Sequence, residues 1–351
     1  MLIKSQGHAF SSIWDTIKHR FPTFLALCAL GLCFSLSLAS CQQIKSIDGA
    51  AALVNNKESA TSKLVRIGYQ PFGTPPLLKA RGTLEKRLQP LGINVEWMSF
   101  PAGPPILKAM KEGKVDIGFV GGIPTAFAQA EEQPFVYVAN AEPNAQSIGI
   151  LVPENSPIRN FADLKGKKIA FTKKSAAHYL LIQALLKANL TLDSVQQVYL
   201  TPPEGQAAFE QKQIDAWVVW NPFLAQIQTK MPVRILADGG GLTQNLNFYV
   251  ATSDFANNNA NTVKIVIQEM QQAGIWGSQN LDEVARMIAK SAKLELATMQ
   301  KVNESATYGV QAIQDRAIEE QQRTAETFFR LGLLPQRIWV EDAVWKEELI
   351  D

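Results

Sequence analysis

The chain has 351 residues, with 34 Lys and Arg against 32 Asp and Glu. That balance gives no general reason to expect a nucleic-acid partner. Three Cys and three His are too few to build a disulfide framework or a His-rich metal centre once the first 40 residues are set aside, because only Cys41 and His178 then remain. Catalysis would have to rest on Ser, Asp, Glu, Lys, Tyr or that single His.

In chain order, a basic start (Lys4, Lys18, His19, Arg20) precedes an apolar run from Phe24 to Leu38, too short for a comfortable membrane span. The run ends Leu38 Ala39 Ser40 Cys41, small residues directly before a cysteine, which resembles a bacterial lipobox. Residues 1–40 are therefore expected to be a lipoprotein signal peptide and Cys41 the lipidated new N-terminus, so that a lipid anchor alone holds the exported chain to a membrane. Removing the leader takes three basic residues and one acidic residue and leaves 31 of each. Residues 41–63, rich in Ala, Asn, Ser, Lys and Gln, are expected to be a flexible tether.

From Leu64 the pattern alternates strand and helix. Strands are expected at Val65 to Tyr69, Asn94 to Phe100, Val115 to Val120 and Phe135 to Ala139, with helices near Pro76 to Leu88, Pro104 to Glu112 and Pro124 to Ala130. The order then recurs, with strands Lys168 to Phe171, Val195 to Leu200, Ile214 to Val219 and Val233 to Leu236. The helices of this second unit are Ala176 to Asn189, Pro203 to Lys212 and Pro222 to Gln228. Local detail repeats too: Lys114 Val115 Asp116 Ile117 parallels Gln213 Ile214 Asp215 Ala216, and Gly122 Ile123 Pro124 parallels Trp220 Asn221 Pro222. The chain is thus read as a duplication of one unit of about 100 residues.

Such alternation predicts two α/β lobes with parallel sheets, joined by two apolar crossovers at Ser147 to Val152 and Asn247 to Ala251 that make a hinge. Lobe I spans 64–147 and resumes at 247–351, and lobe II spans 148–246. Beyond Ser253 come four helices: Val263 to Trp276, then Leu281 to Lys290 with Asn280 as cap and Glu283 completing a capping box, one around Glu295 to Asn303, and Ile313 to Leu331 ending at Gly332. They are expected to pack on lobe I.

Ligands of open α/β sheets bind beyond the carboxyl ends of the strands, so the strand-to-helix turns should line one cleft. Its centre is placed at Thr172 to His178. Ser175 is a good N-cap, and the N–H groups of Ala176, Ala177 and His178 lack internal partners at the helix start. Free donors and the positive dipole end make that start a seat for an anion, with Lys173 adding charge; an ordinary capped turn with a solvated Lys pair looks the same in sequence. Phe72 and Phe119 could form apolar walls, though either could equally be core.

Ile67 Gly68 Tyr69 Gln70, Phe100 Pro101 Ala102 Gly103 Pro104, Glu154 to Ile158, Ala162 to Phe171, Tyr199 to Pro202, and Asp215 to Pro222 together resemble the substrate-binding component of aliphatic sulfonate ABC importers, in the wider sulfonate, taurine and nitrate group. The resemblance implies a two-lobed periplasmic binding protein of type II with two crossover strands. It would be a non-enzymatic monomer without cofactor or metal that captures a small anionic organic solute, an alkanesulfonate, and presents it to a permease and ATPase. It also implies anion contacts at Ser175 and His178, where a plain cap Ser and a surface His would look the same; position at the strand ends adds Gln70, Gly121, Gly122, Lys173, Trp220 and Asn221 as expected ligand contacts, with a core Trp and a capping Asn as the alternative for the last two. Gly122 and Asn221 stand where such proteins often carry Asp, which lowers taurine in the ranking because its ammonium group would lack a partner. Nitrate, bicarbonate or a heterocycle remain as ligands on the same scaffold. An enzyme using His178 as base, and a tethered sensor without a permease, remain as other functions.

Overall fold

The computed structural model describes residues 63–347; the leader, Cys41 and the tether to residue 62 lie outside the described residues. The first unit runs β1 (Lys63–Tyr69), α1 (Thr74–Arg81), α2 (Thr83–Leu88), β2 (Ile93–Ser99), α3 (Gly103–Lys111), β3 (Ile117–Gly121), α4 (Gly122–Ala130) and β4 (Phe135–Ala141). The single helix expected over 76–88 is broken in two, because Gly82 takes a left-handed conformation (φ 63°) that ends α1. The crossover strand β5 (Ile148–Pro153) leads to the second unit: β6 (Lys168–Phe171), α5 (Ala176–Lys187), β7 (Gln196–Tyr199), α6 (Pro202–Glu210), β8 (Ala216–Trp220), α7 (Phe223–Lys230) and β9 (Val233–Asp238). The chain returns through β10 (Asn247–Thr252) and ends with α8 (Ser253–Asn258), α9 (Ala260–Gln279), α10 (Leu281–Ala292), α11 (Leu296–Asn303), β11 (Val310–Gln311) and α12 (Asp315–Arg330).

The two units build sheets of the same design. Sheet order is β11-β4-β10-β3-β1-β2 in one and β7-β6-β8-β5-β9 in the other, so each holds its four repeat strands in matching order around one inserted crossover strand. The expectation of wholly parallel sheets needs correction: β10 runs antiparallel to β3 and β4, and β5 antiparallel to β8 and β9. A crossover arrives from the other lobe and so enters its sheet from the opposite end. The central strands β3 and β8 are buried along their whole length, as their unbroken apolar sequences require.

The C-terminal helices do more than cover lobe I. Helix α9 packs on α1 and β4, but α11 lies against α7, and Phe328 of α12 packs on His178 and Tyr179 of α5, both lobe II helices. These contacts join the two lobes in addition to the crossovers. Nor does Asn280 cap α10 with its side chain. Its Nδ2 donates back to the Trp276 carbonyl at 2.8 Å, while its backbone carbonyl accepts from Glu283 at 3.0 Å.

Candidate functional site

The carboxyl ends of β1, β3, β6 and β8 face one another across a cleft. It is lined by Gln70 and Phe72 after β1, by Gly121 at the end of β3, by Ser175 and Ala176 at the start of α5, and by Trp220 and Asn221 after β8. Gly103, Pro124, Ser147, Asn245 and Asn247 complete it, and no Asp, Glu, Lys, Arg or His is among these lining residues. An occupant is therefore recognised by neutral dipoles and apolar contact.

Helix starts supply the first set of dipoles. Helices α1, α3 and α6 carry Pro at both or either of their first positions and α4 carries Pro124 in its first turn, which removes N–H donors. The Gly122 N–H is also spent, on the Leu246 carbonyl at 2.9 Å. Helix α5 has no Pro in its first turn, so Ala176, Ala177 and His178 all keep their donors at the positive end of the helix dipole. Ser175 is the N-cap residue as expected, but its hydroxyl does not cap: Oγ donates to the Thr172 carbonyl at 2.6 Å. That bond occupies the hydroxyl proton and leaves the backbone N–H groups as the donors at the helix mouth.

Asn221 supplies the second set. It is 5% exposed; its N–H donates to the Ser147 carbonyl at 2.8 Å, and its Oδ1 accepts from the Ala225 N–H at 3.2 Å. An N–H can only be met by the oxygen, so the amide orientation is fixed and Nδ2 is the atom left for the cleft. Gln70 is equally buried, and no protein group hydrogen-bonds its amide among the described residues. Phe72, packed edge-on against Phe119 at 5.5 Å, and Trp220 give the cleft its apolar surface. Phe119 itself stands behind Phe72 against Tyr249 and does not line this cleft.

Sequence reasoning missed Ser147, Asn245 and Asn247. Asn245 Nδ2 donates to Ser147 Oγ at 2.9 Å and to the Asn144 carbonyl at 3.1 Å, and Asn247 Nδ2 donates to the Asn245 carbonyl at 3.1 Å. These polar residues sit at the mouths of the two apolar crossovers, and their position there was the available signal.

Three expected site residues lie elsewhere. Gly122 faces the core of lobe I: its carbonyl accepts from Gln321 Nε2 and Thr125 Oγ1, and a Cβ there would run into Gln321 and Phe248. An Asp at this position would point at α12, so the absence of a carboxylate here has no bearing on ligand charge. Lys173 is exposed and lies over the Tyr199 ring at 5.1 Å, outside the cleft. His178 is only 2% exposed and is stacked on Phe171 at 5.0 Å, on the far side of α5. Burial, with a smaller contribution from the Lys173 charge, lowers its pKa to about 4. Its Nδ1 accepts from the Lys174 N–H at 3.4 Å, so the neutral ring carries its proton on Nε2 and cannot serve as a cationic anion donor. Lys174, at a left-handed φ of 57°, pairs instead across the lobes with Glu131 at 2.6 Å, and this bond holds the Glu131 carboxyl below its ordinary range.

A family model described as NMT1/THI5 like matches residues 91–283, more than half of the chain. The chain belongs to the NMT1/THI5-like family. Among its relatives, the periplasmic aliphatic sulphonate-binding protein SsuA of Escherichia coli is 33% identical, with a TM-score of 0.74 over 82% of this chain and 94% of that one. The alkanesulfonate-binding protein SsuA of Xanthomonas axonopodis pv. citri, solved bound to MOPS, is 34% identical with a TM-score of 0.77, covering 80% of this chain and 98% of that one. The taurine-binding periplasmic protein of Escherichia coli is 28% identical over 252 residues, which are 68% of this chain and 77% of that protein. The fold is that of the two-lobed periplasmic binding proteins, and among the described residues no helix is long and apolar enough to cross a membrane.

Proposed function

We propose that the chain is the solute-binding component of an ABC importer and that it takes an aliphatic sulfonate as cargo, as a source of sulfur. The observation that carries this reading is the combination of the unobstructed donors at the α5 start with a cleft lined by no charged side chain. A sulfonate is fully ionised near neutral pH and has no proton to give, so it needs only donors for its three oxygens and an apolar surface for its tail. Ala176 and Ala177 N–H, Asn221 Nδ2 and Gln70 provide the donors, and Phe72 and Trp220 the surface. The cleft offers no carboxylate, lysine, cysteine or histidine as general base or nucleophile, so capture and release is the chemistry its lining supports.

Around this core stand the finer parts of the proposal. The mature chain begins at Cys41, is held on the outer side of the cytoplasmic membrane or in the periplasm by lipid, works as a monomer, and delivers its cargo to a permease driven by an ATPase. Calorimetric titration with ethanesulfonate, taurine and inorganic phosphate tests the ligand. Ethanesulfonate should bind most tightly and phosphate far more weakly, because a proton-bearing, more highly charged anion finds no carboxylate acceptor and no cation in this cleft. Tighter binding of taurine than of ethanesulfonate would overturn the ligand while leaving the importer class in place.

A further inference from the structure

A second pocket opens beside the cleft and shares Phe72, Ser147, Asn221 and Asn247 with it. Its remaining walls mix apolar Phe119, Val302 and Ala306 with polar Thr74, Asn144 and Thr307, and among them is one carboxylate residue, Glu142, directly after β4. The backbone around that carboxylate is fixed: the Glu142 N–H donates to the Gly309 carbonyl at 3.0 Å, and its own carbonyl accepts from Thr307 Oγ1 at 3.4 Å. Room for the acid is made by Gly309, since a Cβ at that position would fall on the Glu142 carboxyl group. No Lys, Arg or His lines the chamber, and no ion pair of Glu142 occurs among the described residues. A half-buried carboxylate without a counter-charge beside the cleft is complementary to a cationic group on a ligand.

We infer that this chamber is a tail subsite, and that Glu142 selects sulfonates carrying an ammonium group at the far end of a chain longer than that of taurine. The inference rests on the sulfonate reading above: with the anion at the α5 start, the tail runs past Phe72 and Asn221 into the chamber. Taurine's ammonium, two carbons from the sulfonate, stays in the uncharged cleft, whereas a four-carbon spacer carries it on toward Glu142. The apolar walls take the methylenes, and the carboxylate takes the charge.

Calorimetric titration with 4-aminobutane-1-sulfonate and butane-1-sulfonate tests this. The unmutated protein should bind the amine about tenfold more tightly, the size of one charge-assisted hydrogen bond gained over a neutral end. Glu142→Gln, nearly isosteric, should bring the two affinities to within about twofold of each other, and Glu142→Asp, which keeps a carboxylate, should retain part of the preference. Binding of butane-1-sulfonate with no preference for the amine, or a preference that survives in Glu142→Gln, overturns the subsite alone. Failure of both ligands to bind the unmutated protein overturns the sulfonate reading and the subsite with it.

Discussion

Replacing Asn221 by Asp changes a single group and isolates the charge logic of the cleft. Ala225 N–H keeps an acceptor, because one carboxylate oxygen takes the place of Oδ1 at 3.2 Å, so the start of α7 and the fold should be undisturbed. The other oxygen replaces the Nδ2 donor and points a negative charge at the ligand. A sulfonate then loses a hydrogen bond to a charged group, about 1.5 to 3 kcal/mol. It also meets a like charge, whose repulsion at ~4 Å and an effective dielectric of ~20 is a further ~4 kcal/mol before relaxation and water entry reduce it. Taking only about 3 kcal/mol of the total, ethanesulfonate should bind more than about a hundredfold more weakly to the variant. Taurine should lose far less, since its ammonium gains the carboxylate as partner, so the order of the two ligands should reverse. Calorimetry on both proteins, with thermal melting as a control for folding, gives the comparison. Ethanesulfonate binding within about threefold of the parent would refute the placement of Asn221 against the anion.

Two other predictions follow from the residues that proved to lie outside the cleft. Gly122→Ala should cost about 1 to 3 kcal/mol of stability through collision with Gln321 and Phe248, and should cost less in a Gln321→Ala background, while ethanesulfonate affinity stays the same; chemical denaturation of the four proteins checks it, and a loss of affinity at full stability would return Gly122 to the site. His178 excludes its proton in the folded chain, since its pKa of about 4 lies below the ordinary 6.5. Its contribution is therefore complete above about pH 6.5 and is lost as pH falls toward about 4, a difference of ~3 kcal/mol. Unfolding titrations at pH 7 and pH 4 should show the parent losing that much more than His178→Gln, and equal losses would contradict the buried neutral ring.

Much of the architecture was legible because each repeat unit declares itself in local pattern. Short apolar runs rich in Val and Trp such as Ala216 to Trp220 read as buried strands, and Pro104, Pro124 and Pro203 stand at or near helix starts where the ring is tolerated. The N-terminal end of α5 was legible for the same reason, and Gln70, Gly121, Ser175, Trp220 and Asn221 do converge on one cleft. What sequence could not supply was direction. His178 is the third residue of α5, about 200° round the helix from Ala176, and the helix rotation that turns Ala176 to the cleft turns His178 onto Phe171. Lys173 and Lys174 are separated in direction by the left-handed turn at Lys174, which sends one over Tyr199 and the other across the lobes to Glu131. Gly122 follows Gly121 directly, yet only the distant Gln321 shows that its α-carbon faces the core. Glu142 gave no motif at all, since its place beside the cleft depends on which strands the crossovers insert between.

Main-chain donors at the start of α5 are what the proposed ligand needs most, and Ala176→Pro tests them with one atom's change in function. Proline is favoured at the first helical position, and Ser175 before it is already extended (φ −127°, ψ 175°), so the helix should keep its stability. The substitution deletes one N–H at the mouth of the cleft. Titration of the variant with ethanesulfonate should show affinity lowered by about tenfold or more, the value of one hydrogen bond to a charged group, with an unchanged or higher melting temperature. An intact variant that binds ethanesulfonate as tightly as the parent would place the anion somewhere other than the α5 start.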